Sequence, residues 1–104
     1  MSPMLLYNVT VKVAADIGAD WLHWLKQEHV PEVLATGCFQ KATICRLLDT
    51  DDSEGPTFSV QYLAETRNDY ERYFQNHASQ MRQQSFDRWG DRFIAFRSLL
   101  EVIN

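Results

Sequence analysis

The chain has 104 residues, of which 45% are hydrophobic and 23% are charged. This length suits one domain, and the composition excludes a disordered chain. The net charge of −4 and the scattered basic residues argue against a nucleic-acid partner, because phosphate binding needs clustered Lys and Arg. The amino terminus has no basic start followed by an unbroken apolar run, so we expect neither a signal peptide nor a membrane segment. We expect one soluble domain over residues 1–104.

The spacing of the apolar residues changes early in the chain. Residues 5–13 alternate between apolar and polar side chains, which predicts a half-buried strand. From about residue 19 to residue 36 the spacing is helical. The apolar stripe of this helix runs through Leu22, Leu25, His29 and Val33. Pro31 predicts a bend or a second short helix, and Gly37 is well placed to end it.

The middle of the chain predicts two strands joined by an acidic loop. Residues 39–49 are rich in Ile, Leu and Phe, and residues 57–64 alternate again. The loop between them resembles the start of a calcium-binding loop, but Glu54 stands where such a loop needs glycine. We therefore expect a solvated turn. The sequence contains no other metal motif, and we expect no metal and no cofactor.

A second helix and a fourth strand complete the chain. Thr66, followed three residues later by Asp69, resembles a capping box and predicts the start of the helix. The helix should run to Gly90, with a break near residue 78 or 79. Residues 93–102 predict the last strand.

The order strand, helix, strand, strand, helix, strand predicts a ferredoxin-like βαββαβ fold of the α+β class. Two helices then cover one face of a four-stranded antiparallel sheet. We assign the mainly apolar side of the first, third and last strands to the helices, including Ile94, Phe96 and Leu100 of the last strand. The predicted open face carries Leu6, Asn8, Thr10, Lys12, Ser59, Gln61, Leu63, Ala95, Arg97, Leu99 and Glu101.

This predicted open face mixes leucines with polar and charged groups. Pairing two such faces in a symmetric dimer buries the leucines and lets the polar groups meet each other or a ligand. We therefore expect a homodimer of the dimeric α+β barrel type. A monomer with one solvated sheet face is the alternative.

Three side chains are candidates for chemistry. His29 is a weak candidate for a general base, and the alternative is a core histidine bonded to a carbonyl that Pro31 leaves free. His77 has the same two alternatives. Arg97, on a partly buried strand, needs a carboxylate or an anionic ligand. An ion pair between subunits with Glu101 would satisfy it equally well.

Two tryptophans and two cysteines complete the set of informative residues. Trp24 is expected to point away from the apolar stripe, where a partner would cover it. Cys38 and Cys45 fall in one predicted strand, too far apart for a disulfide. Free thiols are typical of a reducing cytoplasm, so we expect a cytoplasmic location.

Five segments spanning nearly the whole chain resemble a bacterial family catalogued only as a domain of unknown function, number 4286. They are YNVTV (7–11), the pair Trp21 and Trp24, EHVPEVLATGCF (28–39), SVQY (59–62) and FIAFRSLLEV (93–102). The resemblance implies a ferredoxin-like fold and no agreed activity. At the level of fold, the layout is also similar to the dimeric α+β barrels, which include cofactor-free monooxygenases, isomerases and ligand-sensing domains.

Our first functional hypothesis is a small-molecule binding or sensing domain. Asn8, Gln61 and Arg97 would contact an anionic or polar ligand in the interior of the dimer. This hypothesis rests on the mixed polar and apolar sheet face.

Two other functions stay open. The second hypothesis is a cofactor-independent enzyme of the monooxygenase or isomerase kind, with His29 as base and Trp21 or Tyr62 lining the pocket. It requires an apolar cavity beside His29. The third is an interaction domain that presents Trp24 to a partner protein.

Overall fold

The computed structural model describes residues 3–104, and its elements follow the predicted order. The elements are β1 (Leu5–Val13), a 3₁₀ turn (Ala15–Ile17), α1 (Gly18–Trp24), a π-helical turn (Leu25–His29), α2 (Val30–Ala35), β2 (Lys41–Arg46), β3 (Thr57–Ala64), α3 (Arg67–Asn76), α4 (Ala78–Trp89) and β4 (Phe93–Glu101). The predicted bounds of β1 and β3 are confirmed, and β2 is shorter than predicted at both ends.

The four strands form one antiparallel sheet in the order β2-β3-β1-β4. Val9, near the centre of β1, lies opposite Val60 on one side and Arg97 on the other. Strands joined by helices, β1 with β2 and β3 with β4, are consecutive in the chain but are not neighbours in the sheet, as the ferredoxin-like layout requires. The predicted α+β fold class is confirmed.

The first helical segment bends where Pro31 predicts it. A π-helical turn over Leu25–His29 joins α1 to α2, and Pro31 lies in the first turn of α2. Because proline has no N–H, it cannot complete the helical hydrogen bond toward the preceding turn, and the π turn accommodates this loss. Gly37, with φ 77°, follows the end of the helix.

The second helical segment begins and breaks as predicted. The backbone N–H of Asp69 donates to Thr66 Oγ1 at 3.2 Å, which satisfies one free donor of α3. The break falls at His77, with φ −130° and ψ −31°. Gly90, with φ 60°, ends α4.

The core lies between the sheet and the helices, and it includes Trp24. This side chain is only 6% exposed, so the prediction of an exposed Trp24 is wrong. Its ring stacks on His29 with centroids 4.7 Å apart and meets the edge of Trp89 at 5.9 Å. The first helical segment packs against α4 as well as the sheet, and its buried arc is therefore wider than one stripe.

The face assignment of β4 is also wrong. Arg97 pairs with Val9 and so faces the helices, together with Ala95, Leu99 and Glu101. The open face instead carries Ile94, Phe96 and Leu100, which are 62%, 70% and 44% exposed. Because both sides of β4 carry large apolar residues, alternation alone does not identify its buried side.

The remainder of the open face agrees with the prediction. Leu6, Asn8, Thr10 and Lys12 of β1 lie opposite Leu63, Gln61, Ser59 and Thr57 of β3. Asn8 is held within this face, because its Oδ1 accepts from Ser59 Oγ at 2.6 Å and its Nδ2 donates to Thr10 Oγ1 at 3.1 Å.

The loop between β2 and β3 uses its acidic side chains internally. Asp52 accepts from Arg46 at 2.9 Å. Gly55 has φ 136°, and a Cβ there would lie 1.8 Å from the carbonyl oxygen of Val13, so only glycine fits. These contacts agree with the predicted solvated turn.

Both cysteines are free thiols, as predicted, although they do not share a strand. Cys38 is buried ahead of β2, and Cys45 is exposed within it. Between residues 3 and 104, no helix is both long and apolar enough to cross a membrane.

Candidate functional site

A cavity of about 50 Å³ lies between the sheet and both helical segments. This volume has room for about three water molecules or for a ligand group of similar size. The sheet contributes Tyr7, Val9, Val11, Val60, Tyr62, Phe93, Ala95 and Arg97 to its lining, and the helices contribute Trp21, Trp24, Leu25, His29, Tyr73, Met81, Arg82 and Ser85.

Aromatic rings form much of the cavity wall. The ring of Tyr7 lies 6.1 Å from that of Tyr62 and 5.8 Å from that of Tyr73. Burial raises the pKa of Tyr62 and of Tyr73, so both phenols stay protonated at neutral pH. The wall therefore offers apolar ring faces together with hydroxyl groups that can donate hydrogen bonds.

His29 reaches the cavity from the end of the π turn. Its Nδ1 is buried and has no hydrogen-bond partner among residues 3–104. The predicted bond from a core imidazole to a backbone carbonyl is therefore missing at this atom. Burial, and then the positive charge of Arg97, lower the pKa of His29 from 6.5 to about 4. The imidazole is neutral at pH 7 and can accept or donate one hydrogen bond at Nδ1, depending on its tautomer.

Two arginines line the cavity. Arg97 extends from β4 and Arg82 from α4, and both residues are exposed. Arg82 was missed from the sequence because it looks like an ordinary surface residue of a helix. Its position directly after the buried Met81, at the border of the buried stripe, is the signal that could have indicated it.

The sheet divides the predicted ligand-binding residues into two groups. Trp21, Tyr62 and Arg97 line the cavity together with His29. Asn8 and Gln61 lie on the opposite face of the sheet. A small ligand cannot contact Asn8, Gln61 and Arg97 at once, so that predicted combination is wrong.

The second histidine candidate, His77, has plain structural surroundings. His77 is half-buried at the helix break and stacks on Tyr73, with centroids 6.1 Å apart. Within the described part of the chain, no cluster of three or more His, Cys, Asp or Glu side chains could hold a metal ion.

Comparison with known proteins identifies a family and a fold. The family model described as Domain of unknown function (DUF4286) matches residues 4–103. None of the curated proteins matches the chain.

Among solved structures, a dimeric ferredoxin-like protein from an uncultured marine organism has a TM-score of 0.73 at 15% identity, covering 99% of this chain and 98% of its own. An EthD-like protein from Ralstonia eutropha has a TM-score of 0.73 at 13% identity, covering 100% and 96%. SnoaB, a cofactor-independent oxygenase from Streptomyces nogalater, has a TM-score of 0.71 at 8% identity, covering 99% and 96%. At these identities the likeness establishes the fold alone.

Proposed function

The chain belongs to the family described as Domain of unknown function (DUF4286), and on that premise we propose that it is a small-molecule binding or sensing domain. The ligand occupies the cavity between the sheet and the helices. It contacts His29, Trp21, Tyr62 and Arg97.

The unpartnered Nδ1 of His29 is the observation that carries this proposal. A buried polar atom without a hydrogen bond costs about 1–3 kcal/mol. A ligand that bonds to this atom removes the penalty, and the cavity beside it provides the space. The mixture of apolar rings and a few converging polar groups is typical of ligand pockets.

We also propose that the protein is a homodimer that associates through its open sheet face. Ile94, Phe96 and Leu100 form an exposed apolar stripe there, which we call the β4 stripe. Such a stripe is typical of an interface. One structural neighbour is a dimeric ferredoxin-like protein, which supports this arrangement. In this proposal Asn8 and Gln61 belong to the interface.

The proposal also covers the number of domains and the cellular location. We propose a single ferredoxin-like domain over residues 1–104, supported by the match of one family model to residues 4–103. The free Cys38 and Cys45 support a reducing, cytoplasmic location.

A thermal-shift screen of small metabolites tests the ligand site. At 100 times its dissociation constant, a ligand stabilises the folded state by about 2.7 kcal/mol, which raises the melting temperature of a domain of this size by about 10 °C. Ser85→Leu adds bulk at the cavity and should abolish this shift.

Ser79→Leu is the matched control for that experiment. Ser79 is exposed on the same helix and does not line the cavity, so the shift should survive there. A shift that is equal in both variants, or the absence of any shift across the screen, would contradict the proposal.

A cofactor-independent enzyme, such as a monooxygenase or isomerase, is the second candidate function. His29 is neutral and faces the cavity, and one structural neighbour is described as a cofactor-independent oxygenase. A base with a pKa of about 4 is weak, however, so binding ranks first. An enzyme would lose turnover in His29→Gln and still bind its substrate.

A further inference from the structure

The arginines of this protein divide into two groups. Five of the seven form ion pairs with carboxylates: Arg46 with Asp52, Arg67 with Glu71, Arg72 with Asp69, Arg88 with Glu28 and Arg92 with Asp16. Across residues 3–104, Arg82 and Arg97 form no such pair. Both of them line the cavity, although one lies on a helix and the other on a strand.

The cavity contains no negative charge to balance these two cations. Its lining includes no Asp and no Glu, and its other titratable groups are His29 and three tyrosines. Burial raises the pKa of Tyr73, and the charges of Arg82 and Arg97 partly oppose that rise. The two guanidinium groups therefore act on one region of the cavity. An anion placed there would meet two donors of charged hydrogen bonds.

The walls of the cavity favour a flat apolar group beside that anion. Tyr7, Tyr62, Tyr73 and Trp21 present rings, and the ring of Trp21 stacks on Phe58 with centroids 5.4 Å apart. Aromatic rings pack well against other rings in offset or edge-to-face arrangements. The small volume limits the buried part of the ligand to about one ring or less.

From the unpaired arginines, the acid-free lining and the aromatic walls, we infer that the ligand is a small aromatic anion. Its negative group is bound by Arg82 and Arg97, and its ring lies among the tyrosines and Trp21. This inference rests on the proposed function and specifies the chemical class of ligand for that site.

Titration calorimetry with benzoate and benzamide tests this inference. The two probes have nearly the same shape and differ in charge. Benzoate should bind the wild-type protein at least about tenfold more tightly than benzamide, because only its carboxylate forms charge-assisted hydrogen bonds with the two guanidinium groups. Acetate, which lacks the ring, should bind more weakly than benzoate.

Variants that remove one positive charge test whether Arg82 and Arg97 bind the carboxylate. Arg82→Gln and Arg97→Gln should each weaken benzoate binding by about fivefold to tenfold and leave benzamide binding unchanged. The double variant should lose the preference for benzoate. Arg67→Gln is the matched control, because it removes an arginine that already pairs with Glu71 and does not line the cavity.

Three results would overturn the inference: equal binding of the two probes, a preference for benzoate that survives in the double variant, or binding of neither probe. Failure of the proposed function would instead appear as the absence of any melting-temperature shift across the whole thermal screen. If neutral compounds shift the melting temperature in the thermal screen while benzoate does not bind, the cavity is a ligand site and only the anionic class is wrong.

Discussion

His29 combines a neutral imidazole with surroundings that oppose its protonation. Burial disfavours the imidazolium form, the charge of Arg97 repels it, and the ring of Trp24 stacks on the imidazole. The group can therefore bond to a ligand at neutral pH without carrying a charge of its own. Its protonation state also makes a contribution to stability that can be measured separately from any ligand.

Acidification should destabilise the protein through His29. In the unfolded chain this histidine binds a proton near pH 6.5, whereas in the folded protein its pKa is about 4. The unfolded state therefore binds more protons between these values, and the free energy of unfolding falls as the pH is lowered through that window. Between about pH 7 and about pH 4.5 the His29 contribution should fall by about 2 kcal/mol.

Urea unfolding of the wild type and of His29→Gln at both pH values measures this contribution. On acidification, the free energy of unfolding of the variant should fall by about 2 kcal/mol less than that of the wild type. His23→Gln, which replaces an exposed histidine on α1, should behave as the wild type does. Parallel losses in the wild type and His29→Gln would contradict the prediction.

The sequence singled out His29 and Arg97 as candidates but did not predict that both line one cavity. His29 could be placed because helical spacing puts it on a buried stripe. Arg97 was placed on the wrong face because Ile94 and Phe96 are as apolar as Phe93 and Ala95. Hydrophobicity predicts burial on average, and it fails where an exposed face is also apolar.

The helices follow local sequence rules closely, with one exception. The N-cap at Thr66 and the terminating Gly37 and Gly90 are all where capping chemistry predicts them. The π turn is the exception, because Pro31 indicates a disturbance without specifying its geometry. Its form depends on the tertiary packing of the residues on both sides, which no local pattern contains.

Removal of the Thr66 cap should weaken the protein measurably. Thr66→Ala deletes the oxygen that accepts from Asp69 N–H and should lower the free energy of unfolding by about 1 kcal/mol. Thr66→Ser keeps that oxygen and should stay close to the wild type. Chemical denaturation of the three proteins compares these values. Equal losses in both variants would assign the effect to the methyl group instead.

At the scale of the whole molecule, the element order predicted the sheet correctly. A βαββαβ order has few unknotted antiparallel arrangements, and the observed order β2-β3-β1-β4 is one of them. Association through the open face stays a prediction, although β4 contributes Ile94, Phe96 and Leu100 to that face instead of Ala95 and Leu99.

A charged residue in the β4 stripe should dissociate the proposed dimer into monomers. Phe96 is 70% exposed on the open face, and Phe96→Glu would place two like charges in a symmetric interface. Sedimentation equilibrium should give a dimer for the wild type and a monomer for this variant. Circular dichroism should stay unchanged, because the side chain is not part of the core.

Phe86→Glu controls for the loss of an exposed phenylalanine. Phe86 is 58% exposed on α4, away from the open face, so this variant should remain dimeric. A monomeric wild type, or dissociation in both variants, would contradict association through the β4 stripe.

Side chains alternate between the two faces of the sheet along β4, so neighbouring residues lie in different surroundings. Phe96 lies in the open face and Arg97 at the cavity, about 3.3 Å apart along the strand. If β4 slipped by one residue against β1, every side chain of β4 would move to the other face of the sheet. Phe96 would then lie at the cavity, and Arg97 would lie in the open face. The backbone pairing of Val9 with Arg97 is therefore a specificity determinant in its own right, because it decides which chemistry each side of the sheet presents.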